Sequence, residues 1–275
     1  MNGSASVFRP LLMWSVALLL AAIVAACGGA GGDGGTDPGQ PTAPGAGTGV
    51  GGAGRGPAPL DLQTAGDFVI LAQTAITNIQ TSKVAGDVGL NLASGIFIGL
   101  TCAEVALPGV MHTFDTAGPS PCSVKNADRL TNAAHDAIAA WIDGIARTPD
   151  YSELWAGNIG GRNLGPATYK WSTSVQVPAN LTLTGGPNDV WIFLIEDDLI
   201  VSSGVQIILA GGALPQNVYW LTVIDAVELG ANSQFKGVIL AETEIVMRTG
   251  ASIDGRLLAT NAVNLNANRV TQPAP

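Results

Sequence analysis

The sequence predicts a mainly β fold, a β-solenoid with one long helix, and three observations carry that expectation. Near the C-terminus Val227, Leu229, Phe235, Gly237 and Ala241 recur eighteen residues on as Ile245, Met247, Ile253, Gly255 and Ala259, and Val263 and Leu265 begin a further turn. A period of that length, with alternating apolar residues in short runs and Gly or Asn between them, describes a coil of about three short strands. The same unit occurs near the N-terminus: Ile70 to Ile76 matches Ile239 to Ile245 without a gap, and Val84 and Gly86 then match Ile253 and Gly255. Segments so distant that share one coil type are expected to stack side by side, in a solenoid that is discontinuous in sequence. The composition agrees, with 36 glycines, only 12% charged residues and many Val, Ile, Leu and Thr.

Taken in order, the chain opens with Arg9 ahead of an apolar run from Leu11 to Ala26. That run falls short of the about 20 residues a membrane-spanning helix needs, so it reads as a secretory leader. It ends Val24-Ala25-Ala26-Cys27, which resembles the bacterial lipobox, where small residues admit the peptidase and the cysteine takes a diacylglycerol. Residues 1–26 are therefore expected to be a lipoprotein signal peptide and Cys27 the lipidated mature N-terminus, with the lipid as the sole membrane contact. Gly28 follows, which resembles the outer-membrane sorting of Gram-negative lipoproteins, so the expected location is the cell envelope or surface. Giving Cys27 to lipid leaves Cys102 and Cys122 to pair in an oxidising compartment. Closing a loop of about 20 residues contributes roughly 3 kcal/mol in the chain-entropy model.

Residues 27–59 are nearly all Gly, Pro, Ala and Thr, without apolar periodicity, and read as a flexible tether. Gly47-Thr48-Gly49-Val50-Gly51-Gly52 within it has the spacing of a dinucleotide loop, but no strand precedes it and no helix follows. The folded domain is expected over residues 60–275. A looser coil is visible when Val190-Trp191 is laid on Val218-Tyr219 and Leu199 to Ile207 on Val227 to Phe235. Between the coils, Leu130, Ala134, Ala137, Ile138, Trp141 and Ile145 form one stripe of a helix from about Lys125 to Arg147, with Ser123 as N-cap, Pro149 as stop and Trp141 as a core anchor.

Chemistry has little material. The formal charge of −9, which loses Arg9 with the leader, and the absence of a basic patch exclude nucleic acid as a partner. His112 and His135 are the only histidines, neither near a second ligand; His112 is expected to be a pH-sensitive surface group in the disulfide loop. Glu196-Asp197-Asp198 offers oxygen ligands of the kind Ca²⁺ takes, but reads first as a solvated turn. No phosphate loop in a strand–helix context, no paired-cysteine metal motif and no lyase-like carboxylate cluster is present, so no cofactor, no metal and no enzymatic activity is expected.

The order of several motifs resembles the microbial ice-binding-like proteins. They are Phe68-Val69-Ile70-Leu71-Ala72, Gly86-Asp87-Val88-Gly89, the alanine-rich helix, Thr168-Tyr169-Lys170-Trp171, Asp189-Val190-Trp191-Ile192-Phe193, Asn217-Val218-Tyr219-Trp220, Phe235 to Ala241 and Gly255 to Ala259. The resemblance runs from about Asp67 to Val270. It implies a right-handed, discontinuous β-helix of triangular cross-section with one long helix packed alongside, the N-terminal segment closing the stack. It also implies a function, adsorption to ice through one flat face, with an ice crystal surface as partner. Charge intrudes on the coils through Lys236, Glu242, Glu244, Arg248, Asp254 and Arg256. Two columns escape it, Ser203, Ala231 and Thr249, and, three residues on, Gln206, Gln234 and Ser252; these six are the expected ice-contact residues. The competing reading is a solenoid module of the same fold without ice affinity, serving adhesion or envelope structure.

Overall fold

The computed structural model describes residues 54–79 and 81–273; the leader, Cys27 and most of the tether lie outside them. The coils stack through parallel strand pairs into a solenoid with three sheet-built sides. The first side runs, from one end of the stack to the other, through Tyr151–Ser152, Thr168–Trp171, Trp191–Ile195, Val218–Thr222, Gln234–Ala241, Ser252–Ala259, Phe68–Ala72, Asp87–Leu90, Met111–Thr113 and Ser123–Lys125. The second side is Val175–Val177, Leu199–Val201, Val227–Leu229, Ile245–Met247, Ala262–Leu265 and Ala75–Asn78. The third joins Asn163–Leu164, Leu181–Thr184 and Ile207–Ala210 to the first halves of the two eight-residue strands, then Arg269–Thr271, Lys83–Ala85 and Val105–Ala106.

The eighteen-residue repeat is the strand register itself: Val227 pairs Ile245, Phe235 pairs Ile253, and Gly237 pairs Gly255. The discontinuity is equally literal, because Ile70 pairs Leu257, Ile76 pairs Val263 and Val84 pairs Val270. The N-terminal coil thus lies directly on the C-terminal one. Where a strand turns from the third side to the first, a Cβ on Gly255 would come within 1.8 Å of the Gly237 carbonyl oxygen, so only glycine allows the coils to close at that corner. The looser coil differs by one residue. Leu199 does pair Val227, but Trp191, not Val190, pairs Val218. A one-residue slip would exchange the faces of the strand. The observed register keeps Trp191 and Phe193 in the interior with Val218 and Trp220, and the extra residue falls in the turn before Val227.

The interior is aliphatic on two sides and aromatic toward one end. Tyr169 stacks on Tyr151 and on Phe193 at 5.3 Å each, and Phe193 stacks on Trp220 at 4.0 Å. Each buried indole N–H donates to a main-chain carbonyl: Trp171 to Leu154, Trp191 to Leu164 and Trp220 to Lys236. The rings can therefore be buried without an unpaired donor.

The helix spans Ala127–Ile145. Its N-cap is Asn126, whose side chain accepts from the Arg129 N–H; Ser123, the cap expected from sequence, lies in a strand paired with Met111. Leu130, Ala133, Ala140 and Gly144 press onto outward-facing Leu71, Ile192, Leu221, Val238 and Leu258 of the first side. Trp141 is half-buried at that seam and donates to the Thr222 carbonyl at 3.1 Å. The chain from 54 to 67 runs beside the helix. The Arg55 carbonyl accepts from Val190, its guanidinium meets Asp189 at 3.3 Å, the Ala58 carbonyl accepts from Arg147, and Tyr219 donates to the Leu60 carbonyl. Docking onto the domain thus includes residues 54–59, the last six of the stretch read as tether.

Candidate functional site

With the helix on the first side, two sides of the solenoid face water. On the second side the inward residue of each rung, from Val175 through Leu199, Val227, Ile245 and Val263 to Ile76, is fully buried, and the residues on either side of it point out. The outward column after it reads Gln176, Ile200, Glu228, Val246, Asn264, Thr77, and the one before it Ser174, Asp198, Ala226, Glu244, Ala262, Ala75. Parallel pairing sets the rungs about 4.8 Å apart.

This side is divided by charge. In its middle Glu228 and Arg248 form a two-pronged pair at 2.9 and 3.0 Å, and the hydrogen bonds from Arg248 hold the Glu228 carboxyl below the usual range. At the adjoining corner Asp197, Asp198 and Asp225 bring carboxylate oxygens within 4.8 Å of one another. Burial, then the charges of Asp225 and Asp197, push Asp198 up. Toward the other end the two rungs built by residues 261–265 and 74–78 carry no ionisable outward group: Asn261, Ala262 and Asn264 lie against Thr74, Ala75 and Thr77. The Thr74 hydroxyl donates to Asn261 Oδ1 at 2.6 Å, and the Thr77 hydroxyl to Asn264 Oδ1 at 2.7 Å. Asn264 Nδ2 in turn donates to Glu244 at 2.9 Å. Two hydroxyl–amide rungs, about 10 Å apart along the strand, flank a floor of two alanine methyls.

The third side is charged as well. Its outward column Gln234, Ser252 continues into Arg269 and Lys83, and the next column holds Lys236 and Asp254, an ion pair at 3.2 Å. Arg256 points instead to the helix side, where Nε donates to the Gly66 carbonyl.

The six residues expected from sequence fall on the edge between these two sides. Ser203, Ala231 and Thr249 occupy successive turns, tied by Gly204 N–H to the Ala231 carbonyl and Asn232 N–H to the Thr249 carbonyl. Gln206, Gln234 and Ser252 start the third-side strands and are in register with one another. The structure thus brings them together as a two-column corner line, one column of which runs on into Arg269 and Lys83. Thr74, Thr77, Asn261 and Asn264 are not among the six. Their signal was present in Thr74-Ala75-Ile76-Thr77 and Asn261-Ala262-Val263-Asn264, four-residue units of one pattern, but only the stacking of the first coil on the last makes them one surface.

Two further expectations resolve at the capped end of the stack. Cys102 and Cys122 are disulfide-bonded, with Cα atoms 5.4 Å apart, inside a cap of residues 91–122. His112 is not a surface group. It is 5% exposed, lies edge-on to Phe68, and places Nε2 3.2 Å from Asp87 and 3.1 Å from the Arg129 guanidinium. Burial, with Arg129 adding to it and Asp87 opposing, holds the imidazole below its ordinary value.

Comparison with known proteins bears on this arrangement. Residues 70–271 match the model of the ice-binding-like family. The chain is 43% identical over 215 residues to an ice-binding protein of Flavobacterium frigoris, covering 78% of this chain and 76% of that one, and 39% identical over 219 residues to an ice-binding protein of a Colwellia species, covering 79% and 85%. Among solved structures, an ice-binding protein from an Arctic yeast superposes with a TM-score of 0.71 at 30% identity over 79% of this chain and 96% of that one. An ice-binding domain from Shewanella frigidimarina gives 0.71 at 27% identity, covering 80% and 100%. With the family match spanning most of the chain, and the coil register, the covering helix and the closing N-terminal segment all those of the resemblance, this chain belongs to the ice-binding-like family.

Proposed function

We propose that this chain binds ice through the end of its second side, with Thr74, Thr77, Asn261 and Asn264 as polar contacts and Ala75 and Ala262 as the floor between them. The observation that carries the reading is the pair of Thr–Asn rungs. Each threonine spends its proton on an asparagine carbonyl, so the direction of its remaining lone pairs is set by the protein. Fixed acceptors on a rigid sheet, separated by methyl groups, can hold first-layer water in a repeating arrangement that merges with a crystal. A full charge there would keep its own hydration shell instead, and the outward positions of these two rungs hold none. Nothing in this mechanism requires a reacting group, and the reading is non-enzymatic.

Export and anchoring through a lipid on Cys27 belong to the same proposal, supported by the leader and the lipobox-like Val24-Ala25-Ala26-Cys27. A cell carrying the domain on that tether would hold ice at its surface or limit recrystallisation there. A second reading, adhesion without ice affinity, is favoured by the charge on the third side, and the corner line of Ser203, Ala231, Thr249, Gln206, Gln234 and Ser252 is the alternative ice contact. The experiment is ice-crystal shaping and recrystallisation inhibition by the mature chain carrying Cys27→Ser. Faceted crystals that resist coarsening support the proposal. Round discs that coarsen as in buffer leave the adhesion module.

A further inference from the structure

The ladder on the second side does not end at Thr77. Ile98 forms a parallel bridge with Ile76, and the Gly99 N–H donates to the Ile76 carbonyl at 2.7 Å, so residues of the cap form the next rung of this side. A Cβ on Gly99 would lie 2.9 Å from the Asn78 nitrogen, so glycine is what lets this rung close onto the strand that carries Thr77. Ile98 points inward with Ile76 into the same core. Directly before it, Ile96 and Phe97 are 67% and 52% exposed, and Ile79, at the other end of the Thr77 strand, is 77% exposed. Thr77, Ile79, Val246 and Asn264 line one shallow depression, closed on its far side by Glu244 and Arg248, so Ile79 adjoins the ladder at its border with the charged middle of this side.

This apolar rim is held rigid. Glu104, itself 6% exposed, accepts from Asn78 Nδ2 at 2.7 Å and from the Ser82 N–H at 2.8 Å, while its second oxygen closes a capping box with Thr101. Behind it the Cys102–Cys122 bridge ties the cap to itself, and Gly95 N–H donates to Asp115. Large apolar side chains held in water on a locked scaffold restrict the orientations of first-shell water.

We propose that Ile96, Phe97 and Ile79 are part of the ice-contact surface, an apolar extension of the Thr–Asn ladder onto the cap. The inference rests on the ice-contact reading above and deepens it. The polar rungs orient water by hydrogen bonds, and the cap residues add cage-like water at the adjoining edge, enlarging the plane that a growing crystal meets at once.

The test compares the mature Cys27→Ser chain with an Ile96→Lys/Phe97→Glu double variant, which leaves the net charge unchanged, and with a conservative Ile96→Val/Phe97→Leu variant. Thermal hysteresis should fall about fivefold or more in the charged variant. The conservative variant should keep most of it, and all three should unfold within about 2 °C of one another, as exposed positions allow. Full hysteresis in the charged variant overturns the extension while leaving the ladder reading intact. A parent without hysteresis overturns both. If sedimentation shows the parent to be a dimer and the charged variant a fully active monomer, a second copy of the chain covers the rim, and the proposal is likewise overturned.

Discussion

Thr77 donates a 2.7 Å hydrogen bond to Asn264 although 187 residues separate them in sequence, and that bond joins the first coil of the domain to its last. It couples the closure of the solenoid to the surface proposed to meet ice: the same stacking that buries Ile76 against Val263 sets the threonine hydroxyl beside the amide.

Replacing Thr77 by Tyr should therefore separate function from stability. The hydrogen bond is exposed, so its loss costs about 0.5–1.5 kcal/mol at most. A ring standing out of the plane would lift a crystal off the neighbouring rung, and hysteresis should drop about tenfold. Chemical denaturation and hysteresis on the same preparation check both halves.

The corner line makes the opposite prediction. Thr249→Lys adds a charge to a turn beside Arg248 and Glu228, where charge already stands, so hysteresis should stay within about twofold of the parent. A collapse of hysteresis with a normal unfolding midpoint would move the contact to Ser203, Thr249 and their neighbours.

His112 predicts the acid limit. Its folded-state affinity for a proton lies below the ordinary value of 6.5, because burial, reinforced by Arg129, disfavours the imidazolium. A base so depressed stabilises the fold fully above its unfolded value, and that contribution is lost as pH falls from about 6.5 toward the lower folded value. The denaturation midpoint should decline over that window, and His112→Gln should flatten the decline. Glu104, which burial raises but bonds from Thr101, Ser82 and Asn78 bring below 4.5, weakens the fold only at more acid pH. Ice activity should stay level wherever the chain is folded, because the four polar contacts do not titrate.

Reducing the Cys102–Cys122 bridge, or replacing both cysteines by serine, should lower stability by about 3 kcal/mol, as expected for a loop of 20 residues. Unfolding with and without reductant measures it. The Ser–Ser variant should be insensitive to reductant.

The periodic parts of the molecule were the legible ones. An apolar–Gly pattern repeating every eighteen residues is a direct image of strand register, so Phe235 on Ile253 and Gly237 on Gly255 are legible in the sequence alone. The Trp191 register slipped by one because a single residue added in the turn before Val227 shifts the first strand without disturbing the second. His112 escaped because an imidazole in a loop-rich stretch looks exposed until Asp87 and Arg129 are brought to it from 25 and 17 residues away. The candidate surface is the least legible part: a repeat within one C-terminal run aligns Ser203, Ala231 and Thr249, whereas the charge-free rungs unite residues 74–77 with 261–264.

The most direct measurement is partition of fluorescently labelled residues 27–275 carrying Cys27→Ser between slowly growing ice and the remaining liquid, beside the Thr77→Tyr variant. The account predicts that the parent is concentrated in the ice and that the variant stays in the liquid like a control protein. Exclusion of both from the ice would contradict ice binding by this chain, and equal uptake of both would contradict the Thr–Asn ladder as its contact surface.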